Sequence, residues 1–117
     1  MKYLFGLIVV VILISSIYSL VSRKPQSVKN YDGFAQCLAD KKLTMYGAYW
    51  CPHCQNEKKI FGDSIKYVPY IECTQETKKC LDAGIEGYPT WITATGQKYS
   101  GEQGLLGLSK ISGCVLP

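Results

Sequence analysis

An α/β domain behind a single apolar amino-terminal helix is what this sequence predicts, on three observations. The first 22 positions hold 16 apolar residues, a density that the remainder of the 117-residue chain does not approach. Beyond residue 30, helical and strand patterns succeed one another as α-β-α-β-α-β-β-α. Charge divides at the same place. Residues 1–30 carry Lys2, Arg23, Lys24 and Lys29 with no acid, which is the whole net charge of +4. Residues 31–117 hold nine Lys and nine Asp or Glu and are neutral. The length suits one small domain and excludes a multidomain enzyme. A nucleic-acid binder needs a basic face on its folded part, and no surplus is available for one.

The expected organisation is a membrane anchor over residues 1–22, a polar linker over 23–30 and a domain over 31–117. Residues 3–21 contain no charge, and 19 residues of helix reach roughly 28 Å, close to the thickness of a bilayer core. A cleaved signal peptide ordinarily has a shorter apolar run ending in a small-x-small site. Leu20-Val21-Ser22 is a poor one, so the uncleaved anchor is favoured. Counting flanking positive charges weakly places the domain in the cytoplasm. Six Cys in so short a soluble part argue for an oxidising compartment, and that argument weighs more. The domain is therefore expected on the extracytoplasmic side: periplasm, cell exterior or the equivalent of a thylakoid lumen.

Along the domain, residues 31–42 carry Phe34, Cys37 and Leu38 at helical spacing, with Asp32 near the start. Residues 43–50 are aromatic-rich and nearly uncharged, the pattern of a buried strand. A helix opens at Cys51-Pro52, because proline fits the first helical position, where its missing N–H costs nothing. Residues 67–72 read as a second strand and 77–83 as a short helix that Gly84 stops. Residues 90–94 and 97–100 flank Thr95-Gly96, a hairpin turn. Leu105, Leu106, Leu108 and Ile111 build a closing amphipathic helix.

Chemistry concentrates in Tyr49-Trp50-Cys51-Pro52-His53-Cys54, where strand hands over to helix. Two sulfurs three positions apart at a helix start can close and reopen a small disulfide. Unsatisfied N–H groups and the positive end of the helix dipole favour thiolate at the first. Cys51 is the expected exchanging sulfur and Cys54, one turn inside, the resolving one. Exchange passes through a mixed disulfide and needs no bound cofactor beyond the redox-active disulfide itself. Pro52 stiffens the turn. His53 can aim an imidazole N–H or positive charge at Cys51, stabilising the reduced form and making the disulfide a stronger oxidant. Zinc is the competing use of the pair. Tetrahedral zinc wants a second close pair, Cys73 and Cys80 are too widely spaced, and there is no other His, so no metal is expected. Gly87-Tyr88-Pro89-Thr90 places a proline at a strand entry, unremarkable by itself. In a thioredoxin-like order it is a cis proline beside the dithiol, leaving the Tyr88 backbone to pair with a substrate strand. Trp50, Tyr88 and Pro89 are accordingly the expected substrate-binding residues.

Residues 31–114 resemble the thioredoxin-like domain that accompanies bacterial and plant homologues of vitamin K epoxide reductase. The resemblance is carried by Met45-Tyr46-Gly47-Ala48-Tyr49-Trp50-Cys51-Pro52-His53-Cys54, Tyr67-Val68-Pro69-Tyr70-Ile71-Glu72-Cys73 and Ala83-Gly84-Ile85-Glu86-Gly87-Tyr88-Pro89-Thr90-Trp91. It implies a thioredoxin-like fold, with a short central mixed sheet flanked by helices, and a DsbA-like dithiol that donates disulfides to client proteins outside the cytoplasm. It also implies reoxidation of Cys51 and Cys54 by a quinone-linked membrane reductase of the vitamin K epoxide reductase type, and Pro89 as the cis proline. Cys73–Cys80 matches a structural disulfide, with a shorter loop than in relatives. One hydrophobic segment cannot supply the quinone-reducing helical bundle, so that partner is another chain. Thioredoxins bury an acid six positions before the first active cysteine; here Met45 occupies that position, which weakens a reductase reading. Asn30 leads directly into a helix, so the first strand of the full fold is expected to be missing and the 67–72 strand to lie at a sheet edge. Pro69 is acceptable there.

Six Cys allow 15 pairings. With the pairs above set aside, Cys37 and Cys114 remain. They either form a long-loop staple or sit apart as small buried hydrophobes. Even parity in an oxidising compartment favours the staple, although the first and last helices of this fold ordinarily cover opposite faces. The alternatives to a disulfide donor are an envelope thiol reductase or isomerase, in one version serving cytochrome maturation, and a non-catalytic disulfide-stapled or metal-binding module.

Overall fold

A computed structural model describes residues 1–21 and 29–117 of the chain. Most of the linker expected at 23–30, with Arg23 and Lys24, lies outside them. Helix α1, Lys2–Val21, is long and apolar enough to cross a membrane: mean hydropathy over Lys2–Ser19 is 2.0 and none of that stretch is buried. The elements that follow are α2 (Asp32–Asp40), β1 (Thr44–Gly47), α3 (Pro52–Lys59), a 3-10 helix (Gly62–Tyr67), β2 (Tyr70–Glu72), α4 (Thr77–Asp82), β3 (Thr90–Ile92), β4 (Lys98–Ser100) and α5 (Gly104–Ser112).

The four strands form one mixed sheet in the order β2-β1-β3-β4. β1 pairs with β2 in parallel, Tyr46 opposite Ile71, which requires the α3 crossover between them. β1–β3 and β3–β4 are antiparallel. The core is built from Phe34, Ala35 and Leu38 of α2, Met45 of β1, Trp91 of β3 and Leu108 of α5, with Phe61 stacked on Phe34 at 6.2 Å between ring centroids.

All four strands are shorter than the sequence suggests, β3 and β4 by a residue or two and the first two by more. The apolar run at 43–50 supplies only four strand residues, because the chain turns at Ala48–Trp50 and the Cys51 amide donates to the Ala48 carbonyl. Tyr67 belongs to the 3-10 helix, a segment the sequence reading did not assign, and β2 begins only at Tyr70. β2 is a sheet edge, as expected, but Pro69 precedes it. The proline contributes what it still has, its carbonyl, which accepts the Met45 amide at 2.9 Å.

Candidate active site

Cys51 caps the amino terminus of α3. Its backbone is extended, Pro52 fills the first helical position, and the Cys54 amide donates to the Cys51 sulfur at 3.2 Å. An N–H aimed at that sulfur stabilises negative charge on it. The loop ahead is pinned from two sides: the Tyr49 amide donates to Glu72 Oε1 at 3.2 Å, and the Gln55 side chain donates to the Tyr49 carbonyl at 2.9 Å. Both thiols are unbonded and buried, Cys51 with 4% exposure and Cys54 with none.

The Cys51 thiol faces the carbonyl of Tyr88 at 3.7 Å. The Tyr88–Pro89 peptide bond is cis. Pro89 is buried, and its carbonyl accepts the Gly101 amide at 2.8 Å. Trp50 stands edge-on to the Tyr88 ring at 5.9 Å and is 58% exposed. Cys51, Trp50, Tyr88 and Pro89 are thus brought to one place by elements 37 residues apart in sequence. The other four cysteines are joined as Cys37–Cys114 and Cys73–Cys80. Among the described residues no cluster of His, Cys, Asp or Glu is arranged to hold a metal ion.

His53 differs from expectation. Its Nδ1 lies 2.6 Å from Glu102 Oε1, an oxygen that also accepts from Asn56 Nδ2 at 3.4 Å, while the amide that donates to the Cys51 sulfur is that of Cys54. Glu102, on the loop before α5, was invisible in the sequence because 49 residues separate it from His53.

Two further groups escaped the sequence reading. Glu57 is buried at 1% exposure, and its Oε1 accepts from Trp91 Nε1 at 3.2 Å and from the Gln103 and Gly104 amides at 3.0 and 3.1 Å. The available signal was its spacing: Cys54 and Glu57, three positions apart, share the inward face of α3, so an acid falls at a core position. The second group backs Cys54. A Cβ on Gly47 would stand 2.9 Å from Cys54 Sγ and 3.2 Å from the Tyr70 ring, so only glycine lets these two approach. The Tyr70 hydroxyl donates to Glu72 Oε2 at 2.7 Å, and Lys58 Nζ sits 3.4 Å from the Tyr70 ring centroid. Burial, then the hydrogen bond with Cys51, pushes the Cys54 thiol up to about 12, while the Ala48 backbone and, less strongly, Lys58 pull it down. Burial and the bond to Glu72 likewise raise Tyr70. The site can therefore hold one exchanging sulfur at the helix start and one protonated sulfur in reserve behind it.

The comparisons with known proteins agree with that chemistry. No protein-family model matches the chain. Over an 81-residue alignment it is 42% identical to thiol-disulfide oxidoreductase LTO1 of Arabidopsis thaliana, covering 62% of this chain and 21% of that protein. Over 58 residues it is 34% identical to a protein disulfide-isomerase of Aspergillus oryzae, covering 44% of this chain and 11% of that one. Both relatives are named for exchange at sulfur. The chain spans only these small fractions of their length.

Proposed function

We propose that this chain is a membrane-anchored protein thiol–disulfide oxidoreductase of thioredoxin-like fold, donating disulfides to clients on the extracytoplasmic side through Cys51 and Cys54. The observation that carries the reading is the pair of free thiols at the start of α3, the first facing the Tyr88 carbonyl, with the remaining four cysteines held in disulfides. The similarity to enzymes named for this exchange supports it. A client thiolate attacks Cys51, forming a mixed disulfide and releasing Cys54; the client's second thiol then displaces Cys51. Clients would dock against Trp50, Tyr88 and the Pro89 turn. Helix α1 would be the anchor, and the dithiol would be reoxidised by a separate quinone-linked reductase of the vitamin K epoxide reductase type.

Cys51→Ser is expected to abolish oxidation of a reduced client protein, and Cys54→Ser to trap a mixed disulfide through Cys51. Full activity in Cys51→Ser would remove the reading. The relative named as an isomerase favours one alternative, net reduction or isomerisation. A redox titration separates them, a donor lying toward about −120 mV and a reductant near about −270 mV.

A further inference from the structure

Whichever way exchange runs, Cys54 must carry charge. When a client thiolate attacks Cys51, a client–Cys51 bond forms, the Cys51–Cys54 bond breaks, and the electron pair leaves on Cys54 Sγ, which then takes a proton from solvent. In reverse, Cys54 gives its proton to solvent, and its thiolate attacks Cys51 and expels the client thiolate. Yet Cys54 is fully buried, and burial disfavours the anion. Among the described residues, the titratable groups that bear on it are Cys51 at the head of α3, Lys58 within α3 and Tyr70 of β2, whose hydroxyl Glu72 holds. Lys58 is the cation in that set. Its Nζ rests 3.4 Å from the centroid of the Tyr70 ring, and the same ring borders the space above Gly47 that Cys54 Sγ also borders. The hydroxyl of that ring is tied to Glu72 at 2.7 Å, so the platform under Lys58 is fixed.

Building on the oxidoreductase reading, we propose that Lys58 is a positioning residue for the exchange: held on the Tyr70 ring, it supplies the positive charge against which Cys54 Sγ ionises. Lys58 exchanges no electron and touches neither sulfur. It lowers the cost of the anion that both directions share, and Tyr70 with Glu72 keeps it in place.

The test uses the reduced full chain in detergent, mixed with dithiobis(nitrobenzoate) in a stopped-flow instrument. The first equivalent of thionitrobenzoate released reports attack by Cys51. The second reports Cys54 resolving the mixed disulfide. Lys58→Gln is expected to slow the second phase about three- to tenfold at pH 7 and to displace its pH–rate profile upward, with the first phase unchanged. Lys58→Arg, which keeps the cation, should retain the second phase, while Tyr70→Leu should match Lys58→Gln. An unchanged second phase and profile in Lys58→Gln would overturn the proposal, as would equal slowing of both phases. Absence of the first phase in the unmodified chain would instead remove the oxidoreductase reading, and this proposal with it.

Discussion

Glu72 stands between the loop that leads into α3 and the strand that backs the dithiol. Its Oε1 accepts from the Tyr49 amide and from the Thr74 amide and hydroxyl, and its Oε2 from the Tyr70 hydroxyl. Burial alone would raise this carboxyl, but those four donors outweigh it and hold it below the ordinary value of 4.5. A carboxyl depressed in the folded state stabilises the fold above its unfolded value and loses that contribution as pH falls through the folded one. The stability advantage of the native chain over Glu72→Gln should therefore be full at pH 6 and shrink as pH drops below about 4.5. Urea titrations of both proteins at several pH values measure it, and an advantage independent of pH would refute the assignment. None of this is legible in the sequence. Cys51 and Cys54 are readable because their geometry is local, one helical turn. Glu72 meets Tyr49 across 23 residues, and Glu102 meets His53 across 49. Such partners are chosen by tertiary packing.

Among elements, α5 depends on a residue that it does not contain. Its N-cap residue, Gln103, provides no side-chain cap, so the first amides would be left without acceptors. Glu57 of α3 supplies the acceptor, taking both the Gln103 and Gly104 amides, and its negative charge suits the positive end of the helix. The same contact fixes the loop that bears Glu102, and through it the position of His53. Removing the carboxylate in Glu57→Ala leaves these two amides and Trp91 Nε1 unpaired in the interior, at a cost of about 3 kcal/mol or more. The urea midpoint should fall with little change in slope. A loss under about 1 kcal/mol would show that water replaces the carboxylate without penalty. Element types were readable where a residue enforces them, as Pro52 does at the start of α3 and Gly96, at φ 87, in the β3–β4 hairpin. Extents were not. The runs at 43–50 and 67–72 look like strands because they are aromatic and apolar, but composition does not say where the chain must turn to deliver Cys51, or that Tyr67 finishes a 3-10 helix.

At the scale of the molecule, the domain is neutral and small, and its six cysteines divide into two free thiols and two disulfides. The Cys37–Cys114 bond spans 77 residues and encloses nearly every element after α1. The objection from helix placement does not reach it, since Cys114 lies outside α5. Gly113, at φ 75, ends the helix by returning its amide to the Ser109 carbonyl, and the next residue meets Cys37 on α2. A core this small gains much from closing so long a loop, about 4 kcal/mol on the chain-entropy account. The double variant Cys37→Ser/Cys114→Ser is therefore expected to melt roughly 15–30 °C lower. Below its melting point it should still exchange through Cys51 at the native rate, because neither serine replaces a group that touches the dithiol. Differential scanning calorimetry and a client-oxidation assay decide the matter together. An unchanged melting temperature would deny the staple its role. A lost exchange rate in a protein that still melts cooperatively would mean that the bond holds the site as well as the fold.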